Sequence, residues 1–164
     1  MSAAFYLLVR LDKREKLLSV AQALDQFSQI IRWDAVDGYY GLVIKATGNP
    51  RELSRHLEKL YGVTELSVCE LTQDNETTTD GDDERFRSYV FLETDRGKRE
   101  QIRRFLGESD NVAFCSPCLG KFDGVAVVHG ETFDEVDRFL NEQVRPLDGV
   151  LRLKQDRIIH LDRI

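Results

Sequence analysis

An α+β fold made of two tandem βαββαβ repeats, with antiparallel sheets packed face to face, is predicted by three observations on this 164-residue sequence. One strand-turn-strand phrase occurs twice, as Val36-Asp37-Gly38-Tyr39-Tyr40-Gly41-Leu42-Val43-Ile44 and as Leu119-Gly120-Lys121-Phe122-Asp123-Gly124-Val125-Ala126-Val127, with Gly38 and Gly120 set 82 residues apart. Each copy lies within the same succession of strand and helix patterns, so the unit is a repeat of about 75 residues. Thirdly, the strand segments Phe5-Tyr6-Leu7-Leu8-Val9, Leu42-Val43-Ile44, Tyr89-Val90-Phe91-Leu92 and Val125-Ala126-Val127-Val128 are continuous apolar runs. A sheet with one wet face alternates apolar and polar residues, so these strands are expected to be covered on both faces. Helices cover one face; the sister sheet covers the other most economically, within one chain or between two.

The chain divides into residues 1–72, an acidic linker over 73–84, and residues 85–164. In the first unit a strand is expected over Phe5 to Leu11. Asp12 is positioned to cap a helix whose apolar residues Leu17, Val20, Leu24 and Phe27 recur three or four apart. Strands follow over Ile30 to Val36 and Tyr39 to Thr47, joined at Asp37-Gly38, a pair suited to a tight hairpin because glycine accepts positive φ. Asn49-Pro50-Arg51-Glu52 is a helix start, with a side-chain acceptor at the cap and proline where no donor is needed. Leu53, Leu57 and Leu60 supply its buried stripe, Gly62 ends it, and Val63 to Leu71 is the fourth strand.

The second unit repeats this order. It has a strand over Ser88 to Thr94, a helix from about Arg96 with Ile102, Phe105 and Leu106 inward, and strands over Val112 to Ser116 and Phe122 to His129. Thr132 and Glu135 form a capping box. The helix they open carries Val136, Leu140 and Val144, ends before Pro146, and is followed by a last strand from Val150 to about Leu161. The βαββαβ order is that of a ferredoxin-like plait.

Composition bounds the function. With 41% apolar residues the chain can bury one sizeable core or two small ones sharing an interface. No apolar run approaches the length of a membrane span, and the N-terminus lacks a signal-peptide pattern, so a cytoplasmic protein with no membrane contact is expected. Three cysteines fit reduced thiols better than a disulfide framework. A net charge of −6 argues against direct nucleic-acid binding, which rests on neutralising phosphates. The linker holds six acids, no base and no apolar residue, the composition of a solvated tether.

Several constellations invite chemistry. Cys115-Ser116-Pro117-Cys118 has the spacing of a redox pair, but it ends a strand instead of opening a helix, where a thiolate would be stabilised. It supplies two ligands where structural zinc takes four. His56, His129 and His160 show no ligand spacing. Arg96, Lys98, Arg99, Arg103 and Arg104 form a basic helix face, expected to be solvated and attracted to the acidic linker. Trp33 is expected in a core or interface. No nucleophile elbow, phosphate loop or catalytic carboxylate pair is present, and nothing signals a cofactor or metal.

The pattern Gly-x-Tyr/Phe-Asp followed by apolar residues, at the second hairpin of a βαββαβ unit, resembles the effector-binding domain of Lrp/AsnC transcription regulators, also called the regulation-of-amino-acid-metabolism domain. That domain belongs to the wider dimeric α/β barrel group. Gly120, Phe122 and Asp123 match the motif fully; the first unit has Gly38 and Tyr40 but Gly41 in place of the acid. The resemblance implies a non-enzymatic regulatory module that binds a small-molecule effector, an amino acid or similar metabolite, and shifts its assembly as a homo-oligomer or with a protein partner. It places the ligand near Gly38, Tyr39, Tyr40, Gly120, Lys121, Phe122 and Asp123, with Asp123 holding the amine. The family's helix-turn-helix domain has no room before the first strand, so direct operator binding is not expected. Two alternatives stand beside the regulatory module: a small barrel enzyme of monooxygenase or haem type, using the space between the sheets with His129 or Tyr40, and a protein-interaction domain whose sheet edges and long last strand, Val150 to Ile164, pair with another chain.

Overall fold

A computed structural model describes residues 4–13, 16–76 and 86–159. Strands β1 (Ala4–Leu11), β2 (Ile30–Asp37), β3 (Leu42–Thr47) and β4 (Val63–Leu71) alternate with helices α1 (Leu17–Leu24) and α2 (Pro50–Glu58). The same order recurs as β5 (Phe86–Thr94), α3 (Arg99–Glu108), β6 (Val112–Gly120), β7 (Gly124–Gly130), α4 (Phe133–Phe139) and β8 (Val150–Ile159).

Each βαββαβ unit forms an antiparallel four-stranded sheet, and the two are joined at both edges into one closed barrel of order β1-β3-β2-β8-β5-β7-β6-β4. The seams are short. Ala35, Val36 and Asp37 pair with Ile159, Ile158 and Arg157, while Cys69, Glu70 and Leu71 pair with Gly120, Leu119 and Cys118. The sheets expected to lie face to face therefore do so within one chain, each seam joining three residues of one sheet edge to three of the other.

Closure explains the continuous apolar runs. Along β1, Tyr6 and Leu8 point into the barrel, where they meet Val43, Tyr89, Phe91, Phe122 and Val125. Phe5, Leu7 and Val9 point outward onto α1 and α2, among Leu17, Val20, Leu24, Leu53 and Leu57. All five residues are buried, each worth roughly 1.5–3 kcal/mol. In the second unit Val90, Leu92, Ala126 and Val128 meet α3 and α4 in the same way. Trp33 packs at the margin of the first outer cluster.

The local signals hold at two helices. The Asn49 side chain accepts from Arg51 N at 3.0 Å, and Thr132 Oγ1 accepts from Glu135 N at 3.1 Å while Glu135 reaches back to Glu131 N. Elsewhere the structure differs. Asp12 does not cap α1; its carboxylate accepts from Lys16 Nζ at 3.2 Å, and Lys16 occupies the cap without a side-chain bond. Strand β3 starts at Leu42 because Tyr39 and Tyr40 belong to the turn, and α3 starts at Arg99 because Asp95 and Lys98 close a turn first. The fourth helix runs on through a π-helical turn at Leu140–Val144, closed by Arg145 N donating to Leu140 O. His160 and the expected end of the last strand lie outside the described residues, as do residues 77–84 of the linker.

Candidate functional site

The two glycines of the repeated phrase mark contacts between the units. Gly38 does not have positive φ, contrary to the hairpin expectation. It is needed for close approach, because a Cβ there would overlap Asp156 Oδ1 of β8 and crowd Gln155 O. Gly120 has φ +139°, and a Cβ would overlap the Val68 carbonyl oxygen of β4. Each unit thus carries a glycine where the other unit's last strand crosses it.

Around them lies one mouth of the barrel. Tyr39 and Tyr40 meet edge to face at 4.9 Å, and Tyr40 and Phe122 both pack on Phe91, at 5.8 and 5.6 Å. Three cations face the Tyr39 ring: Lys154 Nζ at 3.3 Å, the Arg10 guanidinium at 4.3 Å and Lys121 Nζ at 5.6 Å from its centroid. Arg152 lies 5.1 Å from the Phe122 ring. Glu65 is the acid among them, accepting from Tyr39 Oη at 2.8 Å and Lys121 Nζ at 3.2 Å, which holds its carboxyl below the usual range. The Lys154 ammonium is held below its usual range by partial burial, then by Lys121 and Arg152.

Beneath this ring sit two buried polar groups that have no hydrogen-bond partner among the described residues, the Asp156 carboxylate and the Tyr40 hydroxyl. Asp156 is 0% exposed. Burial pushes its carboxyl up to about 6; the Tyr40 and Tyr39 amides and Lys154 oppose the shift, but neither amide closes a hydrogen bond. Burial likewise raises the Tyr40 phenol, whose oxygen lies beside Ser67 and Lys121. A cleft of about 130 Å³ opens alongside, lined by Leu11, Leu17, Val36, Gly38, Tyr39 and Tyr40.

Six of the seven residues named from the sequence therefore border this mouth: Gly38, Tyr39, Tyr40, Gly120, Lys121 and Phe122. Asp123 does not join them. Its oxygens accept from Thr94 N and Thr94 Oγ1, each at 2.7 Å, and from Arg99 at 3.4 Å, tying the end of β5 to the start of α3. Asp123→Ala is accordingly expected to lower stability by about 2 kcal/mol through loss of charge-assisted bonds, read by denaturant unfolding. Arg10, Glu65, Lys154 and Asp156 were not singled out by the sequence; the signal for the last two was the charge at every second position of β8, Arg152, Lys154 and Asp156.

The other candidate chemistry separates in space. Cys115 packs outward against the α3–α4 cluster, whereas Cys118 points into the barrel, so the two thiols lie on opposite faces of β6. Burial pushes the Cys115 thiol up to about 11. Cys118 Sγ donates to Phe122 O at 3.2 Å and meets Cys69 across the seam; that contact and burial raise it well above the usual thiol range. His129 is the last residue but one of β7, its backbone paired with Asn111, and Tyr40 lies toward the opposite end of the barrel, so the two do not form one centre. Among the described residues no group of three His, Cys, Asp or Glu side chains converges as a metal site, and no helix is long and apolar enough to cross a membrane. The basic face of α3 pairs locally, Arg99 with Asp123, Arg104 with Glu100 and Lys98 with Asp148, and not with the described linker acids.

An eight-stranded antiparallel barrel with helices packed outside has the dimeric α/β barrel architecture. Within it, residues 87–159 match the model of the Lrp/AsnC ligand binding domain, so the resemblance carried by Gly120, Phe122 and Asp123 holds for the second unit. None of the curated proteins matches the chain. Solved structures share the fold: the siroheme decarboxylase NirDL in co-complex with an iron-uroporphyrin III analogue, at 11% identity and TM-score 0.78, over 97% of this chain and 72% of that one. Another structure of the siroheme decarboxylase NirDL gives 9% identity and TM-score 0.76 with the same coverage. An anthrone oxidase-like protein gives 9% identity and TM-score 0.56, over 97% of this chain and 92% of that one.

Proposed function

We propose that the chain is a non-enzymatic regulatory module that binds an amino acid or closely related metabolite at the Tyr39–Lys121 mouth and changes its assembly on binding. The observation that carries this reading is the pair of buried, unpartnered groups, Asp156 and Tyr40, beneath a ring of cations. An unmet buried carboxylate calls for a donor, and a ligand ammonium is one. Arg10, Lys121 and Lys154 suit the ligand carboxylate, and the aromatic wall of Tyr39, Tyr40 and Phe122 suits an apolar side chain. Asp156 takes the amine-holding role that the family resemblance assigned to Asp123. The match of residues 87–159 to a ligand binding domain supports a small-molecule effector.

Thermal-shift screening against each proteinogenic amino acid tests the reading, with light scattering before and after addition. A true effector stabilises the fold by about 2.7 kcal/mol at roughly 100 times its Kd. Lys121→Ala and Lys154→Ala should each weaken it about tenfold, on the scale of one charge-assisted bond. Absence of stabilisation by every amino acid would remove the amino-acid form of the proposal.

A second reading is favoured by the fold shared with NirDL and by the cationic mouth, which would also suit a carboxylate-rich tetrapyrrole: a small barrel enzyme acting on such a substrate. An absorbance titration with iron-uroporphyrin III separates the two, since the sensor reading expects no saturable spectral change.

A further inference from the structure

The opposite mouth of the barrel holds a second set of inward-facing polar groups. Arg32 and Asp34 come from β2, Lys45 from β3, Tyr6 from β1 and Tyr89 from β5. Lys45 is 6% exposed, in a strand whose other members are apolar apart from the terminal Thr47. Its ammonium lies 2.7 Å from Glu76 Oε1 and 2.7 Å from Asp74 Oδ2. Arg32 pairs with Glu76 Oε2 and donates to Tyr89 Oη at 3.2 Å, while Tyr89 Oη donates to Asp34 at 2.6 Å. Tyr6 Oη donates to Glu76 Oε1 at 3.5 Å. The Glu76 carboxylate is thus gripped by groups from three strands.

Glu76 is not part of the barrel. It belongs to the segment after β4, expected from its composition to be a solvated tether, which instead lies along β6: Asn75 N donates to Ser116 Oγ and Asn75 Nδ2 to Cys115 O, both at 2.9 Å.

Nor does the fold demand a cationic seat. Strand register equates the two units, Tyr6 opposite Lys45 matching Tyr89 opposite Val127, and Lys45 opposite Arg32 matching Val127 opposite Phe114. Asp34, opposite Val43, matches Ser116, opposite Val125. The second unit meets the same packing with Phe114, Ser116 and Val127. Buried charges gain little over apolar residues of similar volume, so stability alone does not account for Arg32 and Lys45.

We propose that Arg32, Lys45, Tyr6 and Tyr89 form a binding site for a small dicarboxylate, that Asp74 and Glu76 stand in for its two carboxylates, and that the ligand binds by displacing them. Displacement removes the ionic hold on the Asp74–Glu76 segment and leaves the two Asn75 bonds to secure it, so occupancy of the barrel is coupled to the connection between the units. The site is separate from the Tyr39–Lys121 mouth, since β1 runs from Tyr6 at one end to Arg10 at the other.

Succinate is the probe, titrated calorimetrically at low ionic strength against the wild type, Asp74→Asn/Glu76→Gln, and that double variant carrying Lys45→Met. Removing a tethered competitor should tighten succinate binding at least about tenfold, and Lys45→Met should abolish the gain. Equal affinity in wild type and double variant, with unchanged far-UV circular dichroism, would overturn the proposal. Should the double variant fail to fold, the wild type decides: saturating succinate must shift the Asn75 side-chain amide resonances, and no shift overturns it. Loss of succinate binding in Asp156→Asn would also overturn it, by placing the ligand at the other mouth.

Discussion

Asp156→Asn is expected to raise the melting temperature at pH 7.5 and at the same time abolish effector binding. The carboxylate is fully buried against Gly38, neither oxygen has a partner among the described residues, and burial lifts its pKa from 3.8 to about 6. A folded-state pKa above the unfolded one means that the native protein binds the proton more tightly. The penalty is therefore fully present above pH 6 and is relieved as pH falls from about 6 toward 4. A shift of this size corresponds to about 3 kcal/mol at neutral pH, an upper figure. Asparagine removes the charge at constant shape but buries an amide, so a net gain of about 2 kcal/mol is expected, roughly 4–8 °C for a chain of this length. At pH 4 the variant and wild type should melt together. Effector affinity should fall more than about tenfold at pH 7.5, and wild-type affinity should decline below pH 6 as the carboxyl takes up its proton. Stability gained where binding is lost is the mark of a site held ready for a ligand. A variant less stable at pH 7.5 would show that the carboxylate is already satisfied, and the amine-binding role would go with it.

The features legible in the sequence were those written in apolar continuity. Phe5 to Val9, with no polar position, implied burial on both faces, and both faces are buried. The repeated phrase pointed to the turns that meet at the Tyr39–Lys121 mouth. What stayed hidden depended on register. Ile30 packs outward while Arg32, two positions on, points inward, because a bulge between them shifts the pairing with β3; Val112 and Phe114 behave alike in the second unit. Plain alternation would have put Arg32 outside, so the interior cationic seat could not be read. Lys45 within Leu42-Val43-Ile44-Lys45-Ala46 was the visible anomaly. Asp74 and Glu76 looked solvated because composition cannot reveal that buried cations await them. Asp123 was ambiguous for a related reason: a carboxylate in a turn serves a ligand or the turn equally well until its neighbours, here Thr94 and Arg99, are in place.

The contribution of barrel closure itself can be measured at Gly120. Its φ of +139° disfavours any side chain, and a Cβ would overlap the Val68 carbonyl oxygen, a backbone atom that cannot swing aside. Gly120 is also one of the three residues of β6 that pair with β4, so relief of the overlap must part that seam and uncover Cys69, Cys118 and Phe122. Gly48 isolates the conformational part of the cost. It has φ +97°, but a Cβ there would make only ordinary contact with the Gln29 side chain, at 3.7 and 4.0 Å. Gly48→Ala should cost about 1 kcal/mol, whereas Gly120→Ala should cost about 4 kcal/mol, lowering the melting temperature by roughly 8–16 °C. Thiol labelling under native conditions gives an independent readout, since Cys69 and Cys118 are buried and shielded while the seam holds. Gly120→Ala should label at these positions far faster than wild type, and Gly48→Ala should not. Equal losses of stability in the two variants, with thiols equally protected, would mean that β4 and β6 can separate without consequence and that the barrel does not depend on this seam.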